Sequence, residues 1–362
     1  MHDVGLAGAA PSHDVPKDAS EGWKLDPAEI ATWIDVPDFQ IAPGTLISAR
    51  SYFIDRAVPD CETILMSGRT ELGGSIPYFI TDGMPPGPRA SKLRHKLIGR
   101  ARRPEALQGE LGMDCRWHSP ANWSHFLNMC VPLSLKLTRR LNIAQMTLIV
   151  PSNIPSYIRY AADHLGLRLQ ITDAAIAGPC VAYQLQGNIT RPQSRDWLLT
   201  SGIVDRLAKA SQDQTSGSRI FLARRKTRQL SNQAAIEALL AKRGFVTIYP
   251  EDLPVAAQFG LFNNAESIVA VHGAGLAPLL YRHPDTPLKH LVEILPCGHM
   301  TDFYRMMAQQ VACAWIGVRG QLKAKYIKQA YSDRQMFTDY SLDNFAVDPI
   351  SLERALNQIG VS

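Results

Sequence analysis

From Arg219 onward, short apolar runs alternate along the chain with runs that have helical spacing. The continuous apolar runs, typical of buried strands, are "RIFLAR", "FVTIY", "SIVAV" and "KHLVEIL". The helical runs that lie between them are "NQAAIEALLAKRG", "DLPVAAQFGLFNNAE" and a short one after Pro278. Such alternation predicts a parallel sheet with right-handed crossovers, which binds ligands beyond the carboxyl ends of its strands.

The first half of the chain follows a less regular version of this pattern. The predicted strands are "CETILMS", "MTLIVP" and "RLQIT", and the predicted helices are "SYIRYAADHLGL" and a long run from Ala121 that can kink at Pro132. We therefore predict two α/β domains joined in the polar segment around residues 209–218. The assignment is a disordered tail at 1–30, an N-terminal domain at 31–210, a C-terminal Rossmann-like domain at 219–348 and a terminal helix at 349–362.

Composition favours a cytoplasmic globular protein. The 362 residues are 46% hydrophobic, which is enough to bury two ordinary cores. No apolar run is long enough to span a membrane, and the first residues lack the basic start and apolar core of a signal peptide. The six cysteines are scattered, so neither a zinc site nor a disulfide framework is predicted.

The net charge of +5 is unevenly distributed. Residues 89–103, "RASKLRHKLIGRARR", hold seven Lys or Arg and no acid. This basic segment is either a solvated surface or a surface that attracts anionic lipid headgroups or phosphorylated ligands. Nucleic-acid binding is not predicted, because the segment has no aromatic residue on which bases could stack and no known module accompanies it.

The turn at residues 272–275, His-Gly-Ala-Gly, is the strongest candidate for a ligand site. It follows an apolar strand and opens a short helix, so backbone N–H groups and the positive end of a helix dipole meet there, which suits a phosphate. Glu293, at the end of the next strand, stands where an acid can accept hydrogen bonds from a ribose diol. We predict a nucleotide site, although Pro278 replaces the third glycine of a dinucleotide fingerprint and a turn without ligand is the alternative.

In order and spacing, these segments resemble the family 61 glycosyltransferases. The resemblance is strong over residues 219–296 and weaker over 115–218, with Ala277 and Pro278 in place of the usual Thr-Asn, and Gln233 where an acid often stands. The positions that match the family pattern are Asn122, His125, Phe126, Arg224, Asn232, Gly244, Phe245, Pro250, Glu251, Gln258, His272, Gly273, Ala274, Gly275, Leu276 and Glu293.

This resemblance implies a GT-B architecture and a chemistry. Two Rossmann-like domains with parallel sheets would face a cleft, with the donor nucleotide on the C-terminal domain, the acceptor on the N-terminal one, and inversion at the anomeric carbon. Inversion needs a base for the acceptor hydroxyl and a group that stabilises the departing diphosphate. We assign these roles to His125 and Arg224. Asn122 is placed on the acceptor side, and a packing role for His125 or a helix-capping role for Asn122 is the alternative.

The residues assigned to the donor are Arg225, which follows Arg224, and the matched residues Asn232, Glu251, Gln258, His272, Gly273, Ala274, Gly275, Leu276 and Glu293. No Asp-x-Asp motif or other compact carboxylate cluster is present, so neither a metal nor another cofactor is expected. The expected partners are a nucleotide-sugar and a glycan or lipid-linked acceptor in cell-surface polysaccharide biosynthesis, with peripheral membrane contact through residues 89–103. A nicotinamide-dependent oxidoreductase and a catalytically silent nucleotide-binding scaffold are the alternatives.

Overall fold

The structure is a computed structural model, and it describes part of the chain. Backbone is described for the strands within residues 23–67, and side chains are described for most of the remaining ranges. The described residues are 23–24, 29–36, 39–48, 57–58, 62–67, 105–116, 119–140, 142–174, 176–177, 180–185, 194–210, 217–297, 299–301, 303–322 and 341–361. The basic segment 89–103 and nearly all of the predicted tail lie outside them.

The helices and strands of the described residues are numbered in chain order. The strands are β1 (Trp23–Lys24), β2 (Glu29–Val36), β3 (Phe39–Ser48), β4 (Ala57–Val58), β5 (Glu62–Ser67), β6 (Glu105–Ala106), β7 (Leu111–Asp114), β8 (Met146–Val150), β9 (Arg168–Ile171), β10 (Ile176–Ala177), β11 (Cys180–Leu185), β12 (Arg219–Leu222), β13 (Val246–Ile248), β14 (Ser267–Val271), β15 (His290–Leu295) and β16 (Ala314–Leu322). The α-helices are α1 (Trp123–His125), α2 (Val131–Arg140), α3 (Ser156–Leu165), α4 (Ser194–Thr200), α5 (Ile203–Ala210), α6 (Gln233–Lys242), α7 (Val255–Asn264), α8 (Phe303–Gln310) and α9 (Pro349–Gln358). A π-helical segment (Phe126–Cys130) joins α1 to α2, and two 3-10 helices span Pro250–Asp252 and Ala274–Tyr281.

The chain divides into two compact units. The first takes in residues 58–201, and the second combines residues 24–57 with 202–361. The first unit contains a five-stranded sheet of order β5-β11-β7-β8-β9, in which only the β5–β11 pair is antiparallel. Every residue of β8 is buried, as its continuous apolar run predicts, and α3 crosses over from β8 to β9. This unit is therefore an α/β domain.

The second unit contains a seven-stranded sheet of order β13-β12-β14-β15-β16-β2-β3. Each neighbouring pair is parallel except β2 with β3. From β12 the chain passes to β13 on one side and then returns to β14 on the other side of β12. The carboxyl ends of β12 and β14 therefore flank a topological switch point, where open parallel sheets bind their ligands.

The strands and helices predicted beyond Arg219 are confirmed, and so is the α/β fold with parallel sheets. The buried positions at the centre of the sheet line up across strands, with Phe221 beside Val269 and Val269 beside Val292. Ile236 of α6 and Leu352 of α9 pack into the same core. Burial of these continuous apolar runs on both faces fixes the sheet.

The edge of this sheet differs from the sequence prediction. Residues 31–210 were assigned to the N-terminal domain, but β2 pairs with β16 and β3 pairs with β2, so residues 29–48 complete the second sheet. The hydrophobic period identifies a strand without indicating which sheet edge it joins, and a long-range pairing cannot be read from local sequence. No helix in the described part of the chain is long and apolar enough to cross a membrane.

Candidate functional site

Predicted residues of the second unit come together at the carboxyl ends of its parallel strands. Arg224 follows β12, the glycine turn follows β14, and a loop containing His299 follows β15. Direct contacts connect the three segments, since Arg224 bonds to the His272 carbonyl and the rings of His272 and His299 lie 5.2 Å apart. The candidate site is therefore at the topological switch point of the sheet.

Arg224 is held in place by the backbone around it. Its Nη1 donates to the carbonyl of His272 at 3.1 Å, and its Nε and Nη2 donate to the carbonyl and hydroxyl of Thr227 at 3.2 and 3.3 Å. Gly273 makes this position available, because a Cβ atom there would overlap the Arg224 guanidinium. Each of Nη1 and Nη2 uses one N–H in these bonds and keeps a second for a ligand.

A strained loop brings a second arginine to the same place. Lys226 and Arg228 both adopt left-handed backbone conformations, with φ of 69° and 58°, which side chains other than glycine rarely accept. The conformation is maintained by hydrogen bonds to residues 341–344, including Arg228 Nε to the carbonyl of Ser341 at 2.5 Å and Arg228 N to the carbonyl of Leu342 at 3.1 Å. Burial and the nearby charge of Arg224 lower the pKa of Arg228 to about 10, so it stays protonated at neutral pH.

Within the described residues, neither guanidinium group forms an ion pair, although the charge of Glu251 acts on Arg224 and that of Glu293 on Arg228. Burial lowers the pKa of Arg224, and both side chains are only partly accessible to water. All their described hydrogen bonds go to carbonyl or hydroxyl oxygens, and no described carboxylate forms an ion pair with either. Partly buried positive charge of this kind is costly unless an anion neutralises it. The site is therefore suited to bind an anion such as a diphosphate.

His272 and Glu293 form a buried pair behind this anion site. His272 Nδ1 lies 2.5 Å from Glu293 Oε1, and the indole Nε1 of Trp315 donates to Glu293 Oε2 at 2.8 Å. Glu293 is 0% exposed and His272 is 4% exposed. The carboxylate thus places the Nδ1 proton between the two side chains and leaves Nε2 as the nitrogen for a ligand.

This geometry revises the role expected for Glu293. A contact with a ribose diol needs an accessible carboxylate oxygen, whereas both oxygens of Glu293 accept hydrogen bonds from buried side chains. The strand register explains the burial, since Glu293 lies inside β15 and is paired with Ala270 on one side and Gly317 on the other. Glu293 fits the role of a residue that orients His272.

His299 and Tyr304 complete the surroundings of His272. The Tyr304 ring packs edge-on against His272 with centroids 5.5 Å apart. Burial, followed by the neighbouring His272 and Arg228, lowers the pKa of His299 to about 4. His299 is therefore neutral at physiological pH and adds no charge to the site.

The glycine turn continues into a 3-10 helix rather than an α-helix. The helix spans Ala274–Tyr281 and contains Pro278. Leu276 is buried and serves packing, while Ala274 is half-buried beside the turn. A Cβ atom at Gly275 would lie 3.1 Å from Pro250 Cγ, so a glycine permits close packing here.

Two of the predicted donor residues stabilise local structure. Asn232 donates from Nδ2 to the carbonyl of Val347 at 2.7 Å and accepts from the Val347 N–H at 3.2 Å, which attaches the start of α6 to the segment before α9. Gln258 donates from Nε2 to the carbonyl of Leu253 at 3.2 Å, near the start of α7. These contacts engage the side-chain amides with backbone.

Arg225 and Glu251 lie on the exposed rim, at the carboxyl ends of β12 and β13. The Arg225 guanidinium stacks 3.8 Å from the centre of the Tyr249 ring and forms an ion pair with Asp252 at 2.6 Å. Asp252 raises the pKa of Arg225 through this hydrogen bond, with a smaller contribution from Glu251. Glu251 is exposed in the 3-10 turn after β13, and its charge also acts on Arg224.

The predicted acceptor-side residues lie in the first unit. Asn122 caps α1, where its Oδ1 accepts from the N–H groups of Ser124 and His125 at 3.0 and 3.3 Å. His125 is half-buried and immediately precedes the π-helical segment, a type of distortion that is frequent at functional sites. Both follow β7, at the carboxyl edge of the first sheet, where ligands of parallel sheets bind.

Sequence reasoning missed Arg228, His299, Tyr304 and Trp315. Arg228 belongs to the same basic run as Arg224, and its neighbourhood depends on two left-handed residues that the sequence does not indicate. His299 lies four positions after β15, so the rule that ligands bind beyond strand ends could have included it. Within the described residues, no three His, Cys, Asp or Glu side chains cluster as a metal site would require.

Comparison with known proteins agrees with the motif pattern. The family model described as Glycosyltransferase 61 matches residues 121–288, a range that includes Asn122, Arg224 and the glycine turn. The chain is also 29% identical over 126 residues to beta-1,2-xylosyltransferase XAX1 of Oryza sativa subsp. japonica. That similarity covers 33% of this chain and 22% of the rice protein, so the chain spans about a fifth of the length of this relative. The resemblance to family 61 is confirmed.

Proposed function

We propose that this chain is a family 61 glycosyltransferase that moves a sugar, with inversion, from a nucleotide-sugar to a hydroxyl of a glycan or glycolipid. The observation that carries the proposal is the anion site at the switch point of the second sheet. Two partly buried guanidinium groups without a described carboxylate partner lie near each other there, beside the His272–Glu293 pair. The diphosphate of a nucleotide-sugar supplies the missing negative charge.

The proposed mechanism stabilises the leaving group through fixed donors. As the bond between the anomeric carbon and the diphosphate breaks, negative charge collects on the bridging oxygen and the β-phosphate. Arg224 and Arg228 are close enough for their charges to interact and are both held by hydrogen bonds to the backbone, so little reorganisation is required. His272 presents Nε2 to the same anion, and Glu293 behind the ring fixes the orientation of the imidazole.

The acceptor side of the proposal rests on the first unit. We assign the role of general base to His125, which takes the proton of the acceptor hydroxyl as that oxygen attacks the anomeric carbon. Asn122 fixes the start of the helix that carries it. Attack from the face opposite the leaving diphosphate inverts the anomeric configuration. We propose the GT-B arrangement for the two units, with the donor on the second and the acceptor on the first.

The transferred sugar is a hexose or a pentose, and the rice relative is named for transfer of xylose, a pentose. We place the reaction in the cytoplasm, in the synthesis of a cell-surface polysaccharide such as a capsule. The basic segment 89–103 supports reversible attachment to an anionic membrane that carries a lipid-linked acceptor. Its attraction is salt-dependent, because exposed charges are screened within about 8 Å at physiological ionic strength.

A ligand panel tests the proposed function. The melting temperature is measured with UDP-sugars, GDP-sugars, NAD and NADP, and the stabilising donor is then assayed for hydrolysis and for transfer to glycan acceptors. We expect one class of nucleotide-sugar to raise the melting temperature and to be hydrolysed. Stabilisation by NAD or NADP alone would identify an oxidoreductase, and nucleotide-sugar binding without any turnover would identify a silent scaffold.

A further inference from the structure

Arg225, Tyr249 and Glu251 lie together at the carboxyl ends of β12 and β13, where Arg225 and Glu251 are exposed. Arg225 lies with one face of its guanidinium against the Tyr249 ring, 3.8 Å from the ring centre, and one edge on Asp252. Its side chain is nevertheless 46% exposed. One face is covered and one edge is fixed, so the exposed part includes the outer face of a flat, delocalised cation.

Tyr249 provides a rigid support for this cation. Its ring packs against the core beneath the sheet, and its hydroxyl donates to Glu237 Oε1 at 3.2 Å. An exposed ion pair such as Arg225–Asp252 adds little stability, and its consequence here is to orient the guanidinium. Planar guanidinium groups held in this way stack well on aromatic rings.

Glu251 lies near both the anion site and Arg225. It follows β13, the strand that neighbours β12 on the side away from β14. Its charge acts on both Arg224 and Arg225, which places it near both guanidinium groups. In nucleotide-binding α/β folds, the acid that accepts hydrogen bonds from ribose lies beyond the carboxyl end of a strand, as Glu251 does here. Unlike the buried Glu293, Glu251 has an exposed carboxylate.

We propose that Arg225 and Glu251 form the nucleoside subsite of the donor site. The diphosphate lies at Arg224, the ribose hydroxyls donate to the Glu251 carboxylate, and the base stacks on the outer face of Arg225. The diphosphate then lies at the carboxyl ends of β14 and β12, and the nucleoside extends to the carboxyl end of β13, where the Arg225 guanidinium rests on Tyr249. This inference rests on the proposed function, because it locates the nucleoside relative to the proposed diphosphate site.

Comparing ligands with and without a nucleoside tests the subsite. Calorimetric titration measures the affinities of UDP, GDP and inorganic diphosphate for the wild type, Arg225→Met and Glu251→Gln. We expect each variant to bind the preferred nucleoside diphosphate at least about fivefold more weakly, while its affinity for inorganic diphosphate stays within about twofold. Arg224→Ala should weaken the binding of both the nucleoside diphosphate and inorganic diphosphate. Lys242→Met is the matched control for charge loss, since Lys242 ends α6 and is exposed at the opposite edge of the sheet.

Three results would overturn the inference. Unchanged nucleotide affinity in both variants would place the nucleoside elsewhere, and an equal loss for inorganic diphosphate would show a general charge effect. In these two cases the diphosphate site itself would stand. A wild type that binds none of the three ligands would overturn the donor site and the subsite together.

Discussion

Replacing Glu293 by Gln tests the buried pair behind the anion site, because the change keeps the size of the side chain and removes its charge. In the structure, Glu293 accepts from His272 Nδ1 at 2.5 Å and from Trp315 Nε1 at 2.8 Å. A glutamine offers one acceptor and one donor to the same two groups. Either the indole N–H loses its acceptor, or the imidazole proton moves from Nδ1 to Nε2.

Both arrangements remove the negative charge that Glu293 places behind the His272 ring, and with it the support for donation from Nε2 to the diphosphate. We take the size of this loss from the difference between a hydrogen bond to a charged group, about 1.5–3 kcal/mol, and one between neutral groups, about 0.5–1.5 kcal/mol. The difference is about 1–2 kcal/mol, which corresponds to roughly 5- to 30-fold weaker binding. Because this contact involves only phosphate oxygens, the loss should be the same for inorganic diphosphate and for a nucleoside diphosphate.

Calorimetric titration of Glu293→Gln with both ligands measures this loss. The control is Glu266→Gln, which removes a carboxylate that precedes β14 and pairs with Lys289 at the opposite edge of the sheet. A loss of affinity for the nucleoside diphosphate alone would support the contact between Glu293 and the ribose that the sequence predicts. Unchanged affinity for both ligands would separate the His272–Glu293 pair from the donor site.

Four further outcomes follow from the same account. Turnover should survive EDTA, and Arg224→Ala should lower its rate about 100-fold or more; a requirement for added Mg²⁺ or Mn²⁺ would refute this arrangement. Gly273→Ala should weaken the binding of inorganic diphosphate as Arg224→Ala does, because the new Cβ displaces the Arg224 guanidinium. An affinity equal to that of the wild type would contradict the close packing of Arg224 on Gly273. The pKa of His299 in the folded protein, about 4, lies below the ordinary value near 6.5, so the contribution of neutral His299 to stability is present above pH 6.5 and is lost as the pH falls toward 4. The melting temperature of His299→Gln should therefore depend less on pH between about 6.5 and 4 than that of the wild type. The wild type should sediment with anionic liposomes at low salt but not at high salt, and equal sedimentation of a variant with Gln at four basic positions would assign the segment another use; those positions are Lys92, Arg94, Lys96 and Arg100.

The sequence predicted the second unit well because its strands are continuous apolar runs and its helices are amphipathic. A strand that is buried on both faces of a parallel sheet must be apolar throughout, so the pattern of apolar residues alone located β12, β14 and β15. The same reasoning placed Arg224 and His272 at strand ends, and the structure brings them together. The join of β2 to β16 depends on a pairing between residues nearly 300 positions apart, about which a local pattern carries no information.

The sequence also could not predict which way individual side chains face. Glu293 occupies the position expected from the glycine turn, but whether a strand residue faces solvent or core depends on its neighbours, here Trp315 on β16. Arg228 was overlooked since a run of basic residues does not reveal which members a left-handed backbone turns inward. Asn232 matched the family pattern, yet its amide binds the backbone of Val347, a contact that pairs residues 115 positions apart.

A crystal structure with the nucleoside diphosphate that the protein binds tests the central claim most directly. The account predicts diphosphate oxygens within hydrogen-bond distance of Arg224 and Arg228, with His272 Nε2 facing the same anion. A diphosphate bound away from the carboxyl ends of β12 and β14, with both guanidinium groups left in contact with backbone alone, would contradict it.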